Sequence, residues 1–139
     1  MLQQITMLDY DVKILTAFAM TFGDDGEQFF QWLLTNGYPE LAAFSEAIKG
    51  SKLAYNWLIN NRYYHLAAFD SILDNSKEAK FWLVKHNFQT LIYLADAVKE
   101  DVYAIDWFKK NNLEVYIFIA KKIKIYLDGR TFNPHKLNF

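Results

Sequence analysis

Three histidines, sixteen carboxylates and no cysteine set the range of chemistry open to this chain. Without cysteine there is no disulfide, no thiolate metal site and no thiol nucleophile. The histidines are His65, His86 and His135. No two of them stand four apart on a helical face, and no His-Glu-x-x-His occurs, so the usual helical zinc arrangement is absent. His86 falls where a helix should end, and there the helix dipole favours a cation, so a capping role is expected. His65 follows Tyr63-Tyr64 between two helices and His135 lies in the tail; both are expected to be structural or solvent-facing. Among the acids, Asp9 and Asp11 flank Tyr10, and Asp24 and Asp25 sit in the run Gly23-Asp24-Asp25-Gly26-Glu27. That run lacks the twelve-residue ligand spacing of a calcium-binding EF-hand. It stands where a turn and a helix N-cap are needed. Five glycines supply no phosphate-cradling loop, and no Gly-x-Ser-x-Gly elbow is present. The expectation is a chain with no catalytic, cofactor-binding or metal site.

Charge is distributed unevenly. Residues 1–50 carry a net −5 and residues 108–139 a net +5, within an overall −1. The C-terminal bases are Lys109, Lys110, Lys121, Lys122, Lys124, Arg130 and Lys136, interleaved with Tyr116, Phe118 and Tyr126. Lysines that neutralise phosphates beside aromatics that stack on bases could hold a nucleic acid. This is the alternative reading of function, set against a net negative chain. The tyrosines offer the other reading. Tyr55, Tyr64, Tyr93 and Tyr103 fall where neighbouring units differ, and tyrosine is enriched at protein interfaces.

The elements that must position these residues follow from a period. Trp32, Trp57, Trp82 and Trp107 are the only tryptophans, each 25 residues after the last. Around them run matching columns: Leu33, Leu58, Leu83 and Phe108 directly after; Asn36, Asn61, His86 and Asn111 four after; Tyr38, Tyr63, Phe88 and Leu113 six after; Phe44, Phe69, Leu94 and Ile119 twelve after. A fixed period of this size marks an array of supersecondary units that bury their apolar faces only by stacking. Ser51, Ser76 and Asp101 suit helix N-caps. Gly37, Gly50 and Asn75 suit the left-handed residue that closes a helix.

Helices are therefore predicted over 10–22, 27–35, 39–49, 52–60, 64–73, 77–85, 90–98, 102–110 and 114–127, with a non-helical cap over 128–139. The fold class is all-α: an α-solenoid, a right-handed superhelix of antiparallel two-helix repeats in four to five units. The chain reads as one domain, with a degenerate first unit over 9–36, repeats near 37–61, 62–86 and 87–112, and a C-terminal helix and cap over 113–139. The tryptophans are expected to form its buried spine.

Trp32-Leu33-Leu34-Thr35-Asn36-Gly37 resembles the end of the second helix of an ankyrin repeat, and Ala42-Ala43 and Ala67-Ala68 resemble its alanine-rich first helix. The Thr-Pro-Leu-His signature is missing, and a period of 25 instead of about 33 omits the β-hairpin finger. The resemblance implies an ankyrin-like helical array that binds a protein or peptide on its concave face. The expected function is a non-catalytic protein-interaction scaffold of unknown partner. Its oppositely charged ends would allow a monomer or weak head-to-tail association. The longest run free of charged residues is Gln28–Pro39, too short to span a bilayer as a helix. The first basic residue is Lys13, so no charged leader is visible. A cytoplasmic protein without membrane contact is expected.

Overall fold

A computed structural model describes residues 9–131, with side chains to Gly129. The described residues form nine α-helices and no strand: α1 Val12–Met20, α2 Gly26–Thr35, α3 Pro39–Ile48, α4 Lys52–Asn60, α5 Tyr64–Leu73, α6 Lys77–Lys85, α7 Gln89–Val98, α8 Val102–Lys110 and α9 Glu114–Thr131.

Their ends are set by capping chemistry repeated at the period. The side chains of Ser51, Ser76 and Asp101 accept from the backbone N–H of Ala54, Ala79 and Ala104, each at 3.0–3.1 Å. Such a cap contributes about 1 kcal/mol. At the other end, Tyr38 N–H donates to the Leu33 carbonyl at 2.8 Å, and the same bond recurs from Tyr63 to Leu58, Phe88 to Leu83 and Leu113 to Phe108. The residue just before each donor is Gly37, Arg62, Asn87 or Asn112, all with positive φ. This is the six-to-one closure of a Schellman motif. The conserved-type asparagines stand one place earlier: Nδ2 of Asn36, Asn61 and Asn111 each donates 2.8 Å to the tryptophan carbonyl of its own helix.

Odd-numbered helices form an inner layer and even-numbered helices an outer one. Each outer helix sits against the inner helix before it and the one after it, while outer helices do not touch one another. Inner helices pack in the order α1, α3, α5, α7, α9, and α9 packs back on α1. The solenoid therefore closes into a ring of five inner helices with four outer ones.

The core fills the ring. Phe18 stacks on Phe44 at 4.9 Å, and Phe44 meets the edge of Phe69 at 5.4 Å. Leu15, Leu41, Leu66 and Leu91 are buried beside them. The first unit keeps this pattern with one extra residue, since Leu15 and Phe18 stand 26 before Leu41 and Phe44. Alanines such as Ala19, Ala42, Ala67 and Ala97, all buried, let the inner helices approach closely.

The outer helices are anchored by one residue each: Leu33, Leu58, Leu83 and Phe108 are fully buried. Burying such a side chain is worth about 1.5–3 kcal/mol. The tryptophans are not the buried spine expected from the sequence. They are half-buried. Trp32, Trp57 and Trp82 lie flat on Tyr38, Tyr63 and Phe88 at 6.4, 5.9 and 5.7 Å. A large amphipathic ring with an indole N–H is accommodated better at the rim than in a dry core.

The last helix departs most from expectation. Where other inner helices turn, at Gly50, Asn75 and Glu100 with positive φ, α9 has Ile125. A β-branched residue is not accommodated in the left-handed region, so the helix runs on through Asp128 and Gly129, part of the segment expected to be a non-helical cap. Its extension crosses the end of the ring. Tyr126 meets Phe22 at 5.9 Å, and Lys49 Nζ sits 5.6 Å from the Tyr126 ring while donating 2.7 Å to the Thr21 carbonyl.

Closure also removes two sequence-based expectations. The acidic N-terminal and basic C-terminal segments are neighbours, not opposite ends of a superhelix. The faces that head-to-tail association would need, on α1 and α9, are packed on each other.

Candidate interaction surfaces

The inward face of an open solenoid is its usual binding surface; here that face is the filled core. The surface left open is that of the outward helices and the grooves between them.

Of the four candidate tyrosines, two are exposed and two are half-buried. Tyr103 on α8 is 84% exposed and Tyr64 opens α5 at 45%. Tyr55 is half-buried with its hydroxyl 3.3 Å from Ser71 Oγ, and Tyr93 lies against Trp107 at 4.6 Å. The four do not form one surface. Sequence reasoning missed other exposed apolar residues on the outer helices. Leu53 on α4, Phe81 on α6 and Val102 on α8 are 84%, 70% and 74% exposed. Their columns were the available signal. Phe81 stands where the other units have Gln31, Asn56 and Asp106; Val102 stands where they have Glu27, Lys52 and Lys77.

The basic residues are dispersed. Lys110 pairs with Asp106 at 2.8 Å and Lys124 with Asp128 at 3.0 Å. In both cases the carboxylate's hydrogen bond raises the lysine pKa. Lys122 Nζ lies 5.6 Å from the Phe118 ring. Lys109 and Lys110 end α8, whereas Lys121 is a further two turns along α9, about 10 Å from its start. Arg130, Lys136 and His135 have side chains outside the described residues.

The histidines serve packing. His65 stacks on Phe88 at 5.1 Å, and burial lowers its pKa. His86 is the C-cap of α6 with its ring 4.3 Å from Trp82. Asp24 and Asp25 lie exposed in the turn before α2. Among the described residues no cluster of three or more metal-ligating side chains occurs, and no helix is long and apolar enough to cross a membrane.

One buried polar pair had no reading in the sequence. The Tyr10 hydroxyl donates to Glu40 Oε2 at 2.5 Å, and burial together with that carboxylate pushes the phenol pKa upward. The bond ties the segment before α1 to the start of α3.

Of the grooves between the helices, two are larger than the one of about 250 Å³ lined by Lys80, Asp96 and Lys99. One, about 550 Å³, lies between α4 and α5 and is lined by Ser51, Tyr55, Asp70, Asp74 and, across the ring end, Leu127. The other, about 420 Å³, lies between α1 and α2 and is lined by Lys13, Thr16, Ala17, Gln28, Phe29 and Trp32.

No protein-family model, curated protein or solved structure matches this chain.

Proposed function

We propose that this ring is a non-catalytic protein-binding scaffold that presents its partners with the outward faces of its outer helices. The observation that carries the reading is the exposure of Phe81 and Val102 at positions where the other units of the same array have polar residues, with exposed Tyr103 directly after Val102. Exposed aromatic and branched side chains add nothing to the core, and Val102 and Tyr103 stand side by side at the start of α8. The ankyrin-like features support the same reading by architecture. Trp32-Leu33-Leu34-Thr35-Asn36-Gly37 ends a helix that stacks in an array, and the absent β-hairpin finger leaves helix faces as the surface available to a partner. The nucleic-acid reading is disfavoured by the dispersal of the basic side chains and the ion pairs of Lys110 and Lys124.

The test is affinity capture of the tagged chain from its native extract at physiological salt, with nuclease treatment. The comparison is a Phe81→Ser/Tyr103→Ser variant whose helicity is verified by circular dichroism. Protein partners that survive nuclease and are lost with the variant are expected. Equal capture by the variant, or enrichment that vanishes with nuclease, overturns the proposal.

A further inference from the structure

The units of this array differ in what stands beneath the tryptophan of the outer helix. In the last unit, Tyr93 on the outward face of α7 fills the space beneath Trp107, the rings 4.6 Å apart and inclined at 32°. The equivalent pair in the first unit is Ala17 on α1 and Trp32 on α2, allowing for the one extra residue in α1. Ala43 and Ala68 hold the same place before Trp57 and Trp82, so Tyr93 is the exception; in the first unit the space beneath Trp32 is a cavity of about 420 Å³. Its aromatic lining is extended by Phe29, where the other outer helices have Ala54, Ala79 and Ala104. Lys13 stands at its edge with Nζ 5.9 Å from the Trp32 ring, and no acidic side chain lines the groove.

We infer that the α1–α2 groove docks a partner peptide through an aromatic side chain flanked by a carboxylate. The ring takes the place under Trp32 that Tyr93 takes under Trp107, and the carboxylate pairs with Lys13. The chain's own packing defines the ring as a fitting guest. Offset or inclined aromatic pairs at this separation add about 0.5–1.5 kcal/mol beyond the area they bury. The lone cation at the edge selects an acidic neighbour over a basic one, and close charges of like sign would be rejected. The inference rests on the protein-binding reading and assigns it a second, separate site with stated partner chemistry.

The experiment is selection of a displayed random-peptide library against the full chain at physiological salt, followed by affinity measurement of a synthetic winner. The winning peptides should share a tyrosine or phenylalanine next to aspartate or glutamate. Ala17→Tyr, which installs the ring found at Tyr93, should weaken binding at least about tenfold, as loss of a buried aromatic anchor does. Lys13→Glu should weaken it for the acid-flanked peptides. Selection without an aromatic consensus, or equal affinity for Ala17→Tyr, overturns the inference. If Ala17→Tyr fails to fold, titration of the wild-type chain decides, because the Trp32 indole N–H resonance must move and an unmoved one overturns the assignment. Partner capture that depends on Phe81 and Tyr103 but is indifferent to Ala17→Tyr would sink this groove alone. Capture that does not depend on Phe81 and Tyr103 would instead sink the broader reading.

Discussion

Truncating Phe18 tests whether the array is closed. The side chain is fully buried, stacked on Phe44 at 4.9 Å and edge-on to Phe22 at 5.5 Å. Phe18→Ala should cost about 4 kcal/mol, the usual cost of a large aromatic truncated in a core. Against a total stability of about 5–15 kcal/mol, that is a large share. With a urea dependence of about 2 kcal/mol/M, the unfolding midpoint should fall by about 2 M. Should that variant prove too unstable, the volume-reducing but apolar Phe18→Leu should cost about 1 kcal/mol and report in the same direction.

The midpoint alone does not separate a ring from an open array; the location of the damage does. Native-state hydrogen exchange resolves local openings helix by helix. In an open array α1 is a free end, so a weakened α1 frays with its neighbour α2, and α9 is untouched. In the ring, α1 is also the wall against which α9 packs. Amides of α9 around Ile119 and Ile123 should therefore lose protection together with those of α1. Loss confined to α1 and α2, with α9 protected as in the parent chain, would refute closure.

Three further outcomes follow from individual side chains. Burial lowers the His65 pKa in the folded chain, so the unfolded state takes up the proton first as pH falls below about 6.5. The stability contribution is whole above that pH and declines below it. Urea midpoints at pH 7.5 and 5.5 should differ, and His65→Phe should shrink the difference. Ser76→Ala removes the acceptor for Ala79 N–H and should cost about 1 kcal/mol by thermal or urea unfolding. An unchanged midpoint would mean that the cap does not hold α6. The Tyr116 hydroxyl is buried without a protein partner among the described residues, while its ring stacks on Phe108 at 5.3 Å. Tyr116→Phe keeps the stack and removes a desolvated hydroxyl, so it should stabilise by about 1 kcal/mol; a destabilised variant would show that the hydroxyl is satisfied.

The helices were legible because each end is set by a few neighbouring residues and the period repeats those residues. Ser51, Ser76 and Asp101 cap the helices they were expected to cap, and α4, α5, α6 and α8 have the predicted bounds. The end of α9 lies beyond the bound of 127 expected from the period. The decisive position was Ile125, which cannot make the turn that Gly50, Asn75 and Glu100 make. The tryptophans were misread because repetition marks a position as architectural without saying how deep it lies. Leu58, which is fully buried, and Trp57, which is half-buried, repeat equally well.

Closure is a different kind of property. Identical head-to-tail contacts give a ring or an open helix depending on the rotation per unit, and no local motif encodes that angle. The sequence nonetheless held a trace of it. The terminal units of an open array need a polar outer face to stay in solution. Neither end of this array has one at its inner helix. Leu15 and Phe18 in α1 and Phe22 just after it, like Tyr116, Ile119 and Ile123 in α9, are as apolar as their counterparts in the middle of the chain. Two sticky ends on one short array are costly in water unless each covers the other. That arrangement fills the concave face and leaves the outward faces of the outer helices, with Phe81, Val102 and Tyr103, and the groove under Trp32 as the open apolar surface.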